Sequence, residues 1–248
     1  MVLNFLGRGA AFNQEEGNNS AYFTSDNQLF LIDCGENIFE RIIQINLFED
    51  IEAVNLVVTH THSDHIGSLG SLILYCFYEL HIPLNIIMSE KTKHLADIDG
   101  ILKIFGCNNS MYSYIDEGNF DNKYHAFQNI RYIETSHCNE LNCYGILFTT
   151  KDGILYYSGD TNETNIIESL ISSGQPIDKI YVDTTTADFP GNVHLNINIL
   201  AKLIPDKLKK NVYCMHINND ECIEKAKRIG FNVVQNIADK NIVKCKKR

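Results

Sequence analysis

The sequence predicts a layered α/β or α+β sandwich, and two observations carry that expectation. Short runs rich in β-branched and aromatic residues alternate with stretches whose apolar residues recur at helical spacing. Several of the strand-like runs also finish on a histidine or aspartate at their C-terminal edge. Strands and helices alternating in this way pack as layers around a shared core. The chain has 248 residues and no Pro/Ser/Gly-rich linker, so one domain spanning 1–248 is expected.

In chain order, VLNFL, SAYFTS and LFLID read as strands, followed by a helix over ENIFERIIQINLF. There Ile38, Phe39, Ile42, Ile43 and Phe48 mark one face. AVNLVVT and LNIIM read as further strands. The second half supplies strands at QNIRYIETS, CYGILFTT, GILYYSGD, KIYVDTT, NVYCMH and NVVQNI, with helices at ETNIIESLISS, LNINILAKL and ECIEKAKRI. No internal repeat or low-complexity segment is visible. The apolar run SLILYCFYEL is too short to cross a bilayer and soon meets Glu79 and His81.

The formal charge of -10 repels a polyanion unless basic residues gather locally. The clusters KLKK (207–210) and KCKKR (244–248) are too short for that. Eight cysteines without a CxxC pair, and no signal peptide at the N-terminus, suggest a reduced, soluble, cytoplasmic chain.

The densest chemical signal is THTHSDH, which follows the apolar run AVNLVV. Imidazole and carboxylate are preferred ligands of zinc and related divalent ions. If the run is a buried strand, His60 and His62 leave its end on one side, as two ligands of one metal should. Asp64 and His65 then open the next segment and face a second metal. Two metals about 3.5–4 Å apart can clamp a phosphoryl group and activate a water. Such a pair needs one more histidine for each ion and a bridging carboxylate. His137, Asp160 and His216 close later strand-like runs and are the candidates. Asp160 could instead cap the helix near TNETN, but Thr161 and Asn162 can serve there, which favours the bridge. His81, His94 and His125 read as ordinary surface or hydrogen-bonded residues.

With THTHSDH, TSHCNELNCYGILF, YSGDT and VYCMHIN in this order, the chain resembles the metallo-β-lactamase superfamily over nearly its whole length. The resemblance implies an αββα four-layer sandwich and two divalent metal ions, zinc first and manganese as the alternative. It assigns His60, His62 and His137 to one ion, Asp64, His65 and His216 to the other, and Asp160 to the bridge. The opening NFLGRGAAFNQEEGNNSAYF with LFLIDCGE is similar to that of ribonuclease Z-like phosphodiesterases. GRGAAFN is not a dinucleotide fingerprint, since the third glycine and the following helix are missing. Asp160 stands where a zinc β-lactamase of the cysteine-ligand type would carry cysteine, which disfavours that branch. VDTTT and GNVHLNINILAKL resemble the elements used for acid catalysis in the phosphodiesterase branch. The catalytic set implied is Asp64, His194 as proton donor to the leaving alkoxide, and Asp183 as the partner that orients His194.

Ribonuclease Z enzymes carry a basic arm and a G-L-P-G-L continuation, whereas this acidic chain reads IGSLGSL and lacks a basic glycine- and proline-rich insertion. A compact phosphodiester therefore fits better than nucleic acid. Length, LGRGAAFN and THTHSDHIGSLGSLILYCFYEL resemble small cyclic-nucleotide phosphodiesterases, including anti-Pycsar proteins that destroy cyclic CMP and cyclic UMP signals. The expected reaction is hydrolysis of a 3′,5′-cyclic nucleotide such as cCMP, cUMP, cAMP or cGMP to the monophosphate. The resemblance also implies a homodimer, and the shortness of the run SLILYCFYEL implies no membrane partner. The alternatives are transfer-RNA 3′ processing, a glyoxalase-type thioesterase on the same ligands, and a non-catalytic metal-stabilised binding protein. Tyr112 and Tyr114 could stack on a base, from a neighbouring subunit, or be ordinary half-buried tyrosines. Arg8 could meet a phosphate oxygen or serve the surface, and Cys76 and Cys214 read as packing thiols.

Overall fold

The computed structural model describes residues 1–115 and 127–237. His125, residues 116–120 of the tyrosine-bearing loop and the basic segment 244–248 lie outside the described residues. The first half forms strands β1 (Asn4–Gly7), β2 (Ser20–Ser25), β3 (Gln28–Ile32), β4 (Ala53–Val57), β5 (Leu84–Ile87) and β6 (Ser113–Ile115). They make a six-stranded sheet in sequence order. The second half forms β7 (Asn129–Thr135), β8 (Cys143–Thr150), β9 (Gly153–Tyr157), β10 (Ile177–Asp183), β11 (Val212–Met215) and β12 (Asn232–Val233). These make a second six-stranded sheet.

The two sheets repeat one pairing scheme. In each, the first two pairings are antiparallel and the remaining three parallel. The sequence shows no repeat because only the strand order is shared. Helices α1 (Ile38–Gln44), α2 (Ser63–Ile66), α3 (Leu69–Tyr75), α4 (Glu90–Leu95) and α5 (Ile98–Ile104) belong to the first half. The second half carries α6 (Asn165–Ser172), α7 (Ile197–Leu203) and α8 (Asp220–Ile229).

Side-chain alternation sorts the apolar residues into three cores. Leu29, Leu31, Leu56 and Ile86 face outward from the first sheet onto Ile38, Ile42, Leu72, Ile73, Ile98 and Leu102 of the helices. Phe30, Ile32, Val57 and Ile87 face inward, meeting Ile146, Phe148, Leu155 and Tyr157 of the second sheet. On that sheet's far side, Leu147, Tyr156, Ile180 and Val182 pack on Ile167, Leu170, Ile197 and Leu200. The order helix, sheet, sheet, helix is the four-layer sandwich expected from the sequence. β4 is buried along its full length, which is why AVNLV is apolar except for Asn55, whose side chain bonds those of Gln28 and Asn85. Cys76 and Cys214 lie in the two outer cores, and burial pushes each thiol up to about 12.

The structure corrects some element bounds. α1 stops at Gln44, and Asn46, at φ 53°, turns the chain before Phe48 can extend the helix. The apolar run at 71–80 is the end of α3 running into a π-helical turn, Cys76–Leu80, closed by His81 at φ 54°. Tyr114 belongs to strand β6 rather than to a polar loop.

Candidate metal centre

The parallel pairings send the C-termini of β3, β4, β9, β10 and β11 to one edge of the sandwich. β7, two antiparallel steps from β9, ends on the same edge. Asp33, His60, His137, Asp160, Asp183 and His216 follow or finish those strands, so topology alone gathers them. Two of the placements need special backbone. Asp33 and His216 adopt left-handed φ of 60° and 54°, turning each side chain off its strand into the edge. Gly159, at φ 58°, sets up Asp160, and a Cβ there would run into the Tyr144 carbonyl oxygen. His62 precedes the four-residue helix α2, in which Asp64 and His65 point to the other side.

Two clusters result. His60, His62 and His137 place one ring nitrogen each within 4.8 Å of one another, as do the ligand atoms of Asp64, His65, Asp160 and His216. His60 Nε2 lies 3.0 Å, and His137 Nε2 3.3 Å, from His62 Nδ1. Nitrogens on a tetrahedral zinc at ~2.0–2.1 Å stand roughly 3.4 Å apart, so this spacing suits one shared ion. Asp160 Oδ2 lies 3.4 Å from His65 Nε2 and 3.2 Å from His216 Nε2. It is also 3.9 Å from His60 Nε2 and 3.8 Å from His137 Nε2. One carboxylate oxygen therefore stands between the two groups. Asp64 Oδ2 completes the second at 3.3 Å from His65 and 3.5 Å from His216.

Orphaned polar atoms test whether a cation fits. His65 Nε2 and Asp160 Oδ1 are buried and have no hydrogen-bond partner, although carboxylate oxygens of Asp64 and Asp160 stand 3.3 and 3.4 Å from His65 Nε2. Atoms that converge on a point without aligning on one another are what a coordinated ion requires, and the imidazole and carboxylate donors suit a divalent one.

Surrounding bonds orient the rings. Thr59 donates its backbone N–H and its hydroxyl to the two oxygens of Asp33, each at 2.8 Å. The Thr59 oxygen is thus left to accept from His60 Nδ1 at 3.1 Å, which turns His60 Nε2 toward the cluster. His65 Nδ1 donates to Asp33 Oδ2 at 2.8 Å, and His137 Nδ1 donates to the Val193 carbonyl at 3.1 Å. Asp33 therefore orients one histidine in each group. Asp183 Oδ2 accepts from His194 Nδ1 at 2.7 Å and from the Thr161 N–H at 3.1 Å. Its Oδ1 lies 3.4 Å from His216 Nδ1.

Charge divides the histidines. Burial, reinforced by the charge of His65, holds His60 well below the usual imidazole range, and burial also lowers His62. Burial would lower His65 and His216 too, but Asp160 and neighbouring carboxylates outweigh it, raising His65 well above its ordinary value and His216 to about 10. Burial favours a neutral carboxyl at Asp64 and Asp160, yet the facing imidazoles hold both below the carboxylate range. The negative field that favours a proton on His65 and His216 favours a divalent cation equally, so protons and metal compete for those nitrogens. For His194, burial lowers and Asp183 more than restores, leaving the ring above its ordinary value.

Every site residue singled out from the sequence arrives in this region. His194 joins Asp160, Asp183 and His216 in a third group, and it lines a cavity of about 320 Å³ with His62, Asp64 and His137. Asp160 does not cap α6, whose N-cap is Thr164. Arg8 is turned away from any phosphate, with Nε 2.8 Å from Glu16 and an NH1 bond to the Val234 carbonyl. Tyr112 and Tyr114 both donate to Asp99 and lie apart from the cavity lining within this chain. His81 bonds the Phe77 carbonyl, and exposed His94 pairs with Glu90, as surface residues would. Asp33 and Thr59 were missed as orienting residues. LFLID and VVTH ending at the same edge is the signal that could have found them.

A profile of the family described as "Anti-Pycsar protein Apyc1" matches residues 1–237. The chain belongs to the Apyc1 anti-Pycsar family. Among Apyc1 relatives, the anti-Pycsar protein of Bacillus phage 010DV004 is 25% identical over 263 residues, covering 93% of this chain and 95% of that protein. The ribonuclease Z of Methanococcus maripaludis is 36% identical over 102 residues, 39% of this chain and 32% of the enzyme. The shared stretch is thus about a third of that enzyme's length. The solved metallo-β-lactamase fold protein YhfI from Bacillus subtilis superposes with a TM-score of 0.66 at 18% identity, covering 94% of each chain. That likeness shows the fold. Family, fold and clustered ligands make this Apyc1-family chain a metal-dependent hydrolase. Among the described residues, no helix is long and apolar enough to cross a membrane.

Proposed function

We propose that the chain is a binuclear phosphodiesterase that opens 3′,5′-cyclic nucleotides to nucleoside monophosphates and so counters cyclic-nucleotide defence signalling. The observation that supports this most is the Asp183–His194 pair at the cavity wall beside the two clusters. A phosphodiester releases a poor alkoxide leaving group, and a positioned acid answers that need.

In this reading His60, His62 and His137 would hold one ion and Asp64, His65 and His216 the other, with Asp160 available to both. Two divalent ions so held supply Lewis acidity toward the phosphoryl oxygens and lower the pKa of a bound water. The remaining steps belong to the chain's own residues. Asp183 accepts the Nδ1–H hydrogen bond of His194 at 2.7 Å, so the other nitrogen carries the mobile proton toward the cavity. As the ester P–O bond breaks, His194 Nε2 gives that proton to the departing oxygen. The same Asp183 steadies His216 with its second oxygen, coupling the acid to the ligand set. The buried floor formed by His60, His65 and Asp160 excludes bulk water. The reaction would take place in the cytoplasm, the host's if a phage encodes the protein, and the resemblance to ribonuclease Z-like phosphodiesterases implies a homodimer.

The test is incubation of metal-loaded protein with a panel of cyclic nucleotides, with and without chelator, alongside precursor transfer RNA and a thioester. Chelator-sensitive release of monophosphate is expected. Cleavage of transfer RNA or thioester, with all cyclic nucleotides untouched, overturns the proposal. The ribonuclease Z likeness keeps transfer RNA as the second reading, and a net charge of -10 argues against it.

A further inference from the structure

Phe12 is 96% exposed, the largest exposure among the described apolar side chains. Folding gains almost nothing from such a ring, yet the loop carrying it is strongly tied down. Gly9 N–H donates to the Gly17 carbonyl at 2.7 Å and Asn13 N–H to the Ala10 carbonyl at 2.9 Å. Ile217, next to His216, accepts from Ala10 N–H at 3.0 Å and Asn13 Nδ2 at 3.0 Å, and donates to the Arg8 carbonyl at 2.7 Å. Arg8 and Glu16 close the loop base with a 2.8 Å ion pair. The tip is therefore fixed against the strand end that bears a proposed metal ligand.

The ring also has a particular outlook. It borders the roughly 320 Å³ cavity that holds Asp64, Asp160 and His194. It borders as well a second cavity of about 580 Å³, which it shares with His194, Gln14 and Asn218. Ala11, Phe12 and His194 are walls of both. A substrate with its phosphodiester at the clusters would extend its remaining part past His194 and across Phe12.

We propose that Phe12 is the platform on which the substrate's nucleobase stacks, a conclusion that rests on the cyclic-nucleotide reading above. Every base has a π-face, so a phenyl ring gives affinity without choosing among bases. The flanking amides of Gln14 and Asn218 are then the groups able to read the base edge. The rigid loop means that the ring need not be ordered on binding, which keeps the entropic cost low.

The test compares metal-loaded wild type, Phe12→Ala and Phe12→Tyr on the best-cleaved cyclic nucleotide and on methyl riboside 3′,5′-cyclic phosphate, which has no base. For the nucleotide, Phe12→Ala should raise KM on the order of tenfold with kcat within about twofold, and Phe12→Tyr should restore it. On the base-free diester, wild type and Phe12→Ala should match. An unchanged KM, or equal loss on both substrates, overturns the stacking role while the hydrolytic reading stands. A wild type inert toward every cyclic nucleotide overturns both.

Discussion

Asp183 shows how one buried carboxylate can set two imidazoles to different work. Its Oδ2 fixes His194 and its Oδ1 faces His216. Burial alone would push the His194 pKa down, and the Asp183 charge carries it above the ordinary value instead. The sign for catalysis follows: the protonated ring is the acid, so activity persists below the raised His194 pKa and is lost as pH rises through it. Asp183→Asn removes the charge, and the alkaline limb of kcat should move to lower pH, with turnover at pH 8 down by roughly 10²-fold. A limb that stays in place in this variant would mean that His194 is not the titrating acid. His194→Ala should keep both metals yet lose on the order of 10²–10⁴-fold in kcat, whereas His62→Ala should lose metal and activity together. Elemental analysis beside the rate measurement separates the two. Asp33 acts one bond further out. Because it orients His60 through Thr59 and His65 directly, Asp33→Ala should weaken metal affinity about 10–100-fold, read by competition with a chromophoric chelator.

Secondary-structure elements reach the site as fixed strand ends and short turns, and the turns tolerate little added volume. A Cβ on Gly35 would meet the carbonyl oxygen of Asp64, so Gly35→Ala must push α2 outward or distort the turn after β3. Overpacking of this kind costs about 1–3 kcal/mol. Gly174, at φ 68° with open space around it, offers the contrast. Both alanine variants should lower the urea midpoint, but only Gly35→Ala should also weaken metal binding. Equal metal affinity in the two would detach α2 from ligand placement. The same elements explain what the sequence could disclose. The strands were legible because β4 and β8 are buried nearly throughout and β7 alternates, and each pattern is a direct trace of the layers. The candidate ligands stood out because THTHSDH follows the run AVNLVV and because His137, Asp160 and His216 each close a later run. α4 and α5 were hidden in EKTKHLADIDGILKIF, where apolar periodicity is brief and Asp97 begins α5 from a left-handed conformation. Asp33 was hidden for another reason: its partners Thr59 and His65 lie far along the chain, and only the β3–β4 pairing brings them together. Phe12 carries no signal in GRGAAFN, because its exposure is a property of the fold.

At the scale of the molecule, the proposed centre is a clasp between the two sheets. His60 follows β4 of the first sheet, while His137, Asp160 and His216 follow β7, β9 and β11 of the second. With the ligand sets proposed above, each ion would draw ligands from both halves, which would couple metal binding to keeping the sheets together at this edge. Ions that bind the folded chain alone stabilise it by mass action, about 2.7 kcal/mol for each ion present at a hundredfold excess over its Kd. Two such ions would contribute roughly 5 kcal/mol, which for a chain of this length moves the thermal midpoint by roughly 10–20 °C. Chelation should therefore lower Tm by that order, and readdition of zinc or manganese should restore it in proportion to the logarithm of free metal. His216→Ala, which removes a second-sheet ligand, should lose part of the metal response while wild type keeps all of it. Without metal, β4 and β11 should exchange amide hydrogens faster near their C-termini, whereas the outer helical cores, bound by apolar contacts, should change less. A chelated protein with no residual metal, unchanged Tm and unchanged exchange would show that the inter-sheet core of Phe30, Phe148 and Tyr157 holds the halves together unaided, and that the ions serve chemistry only.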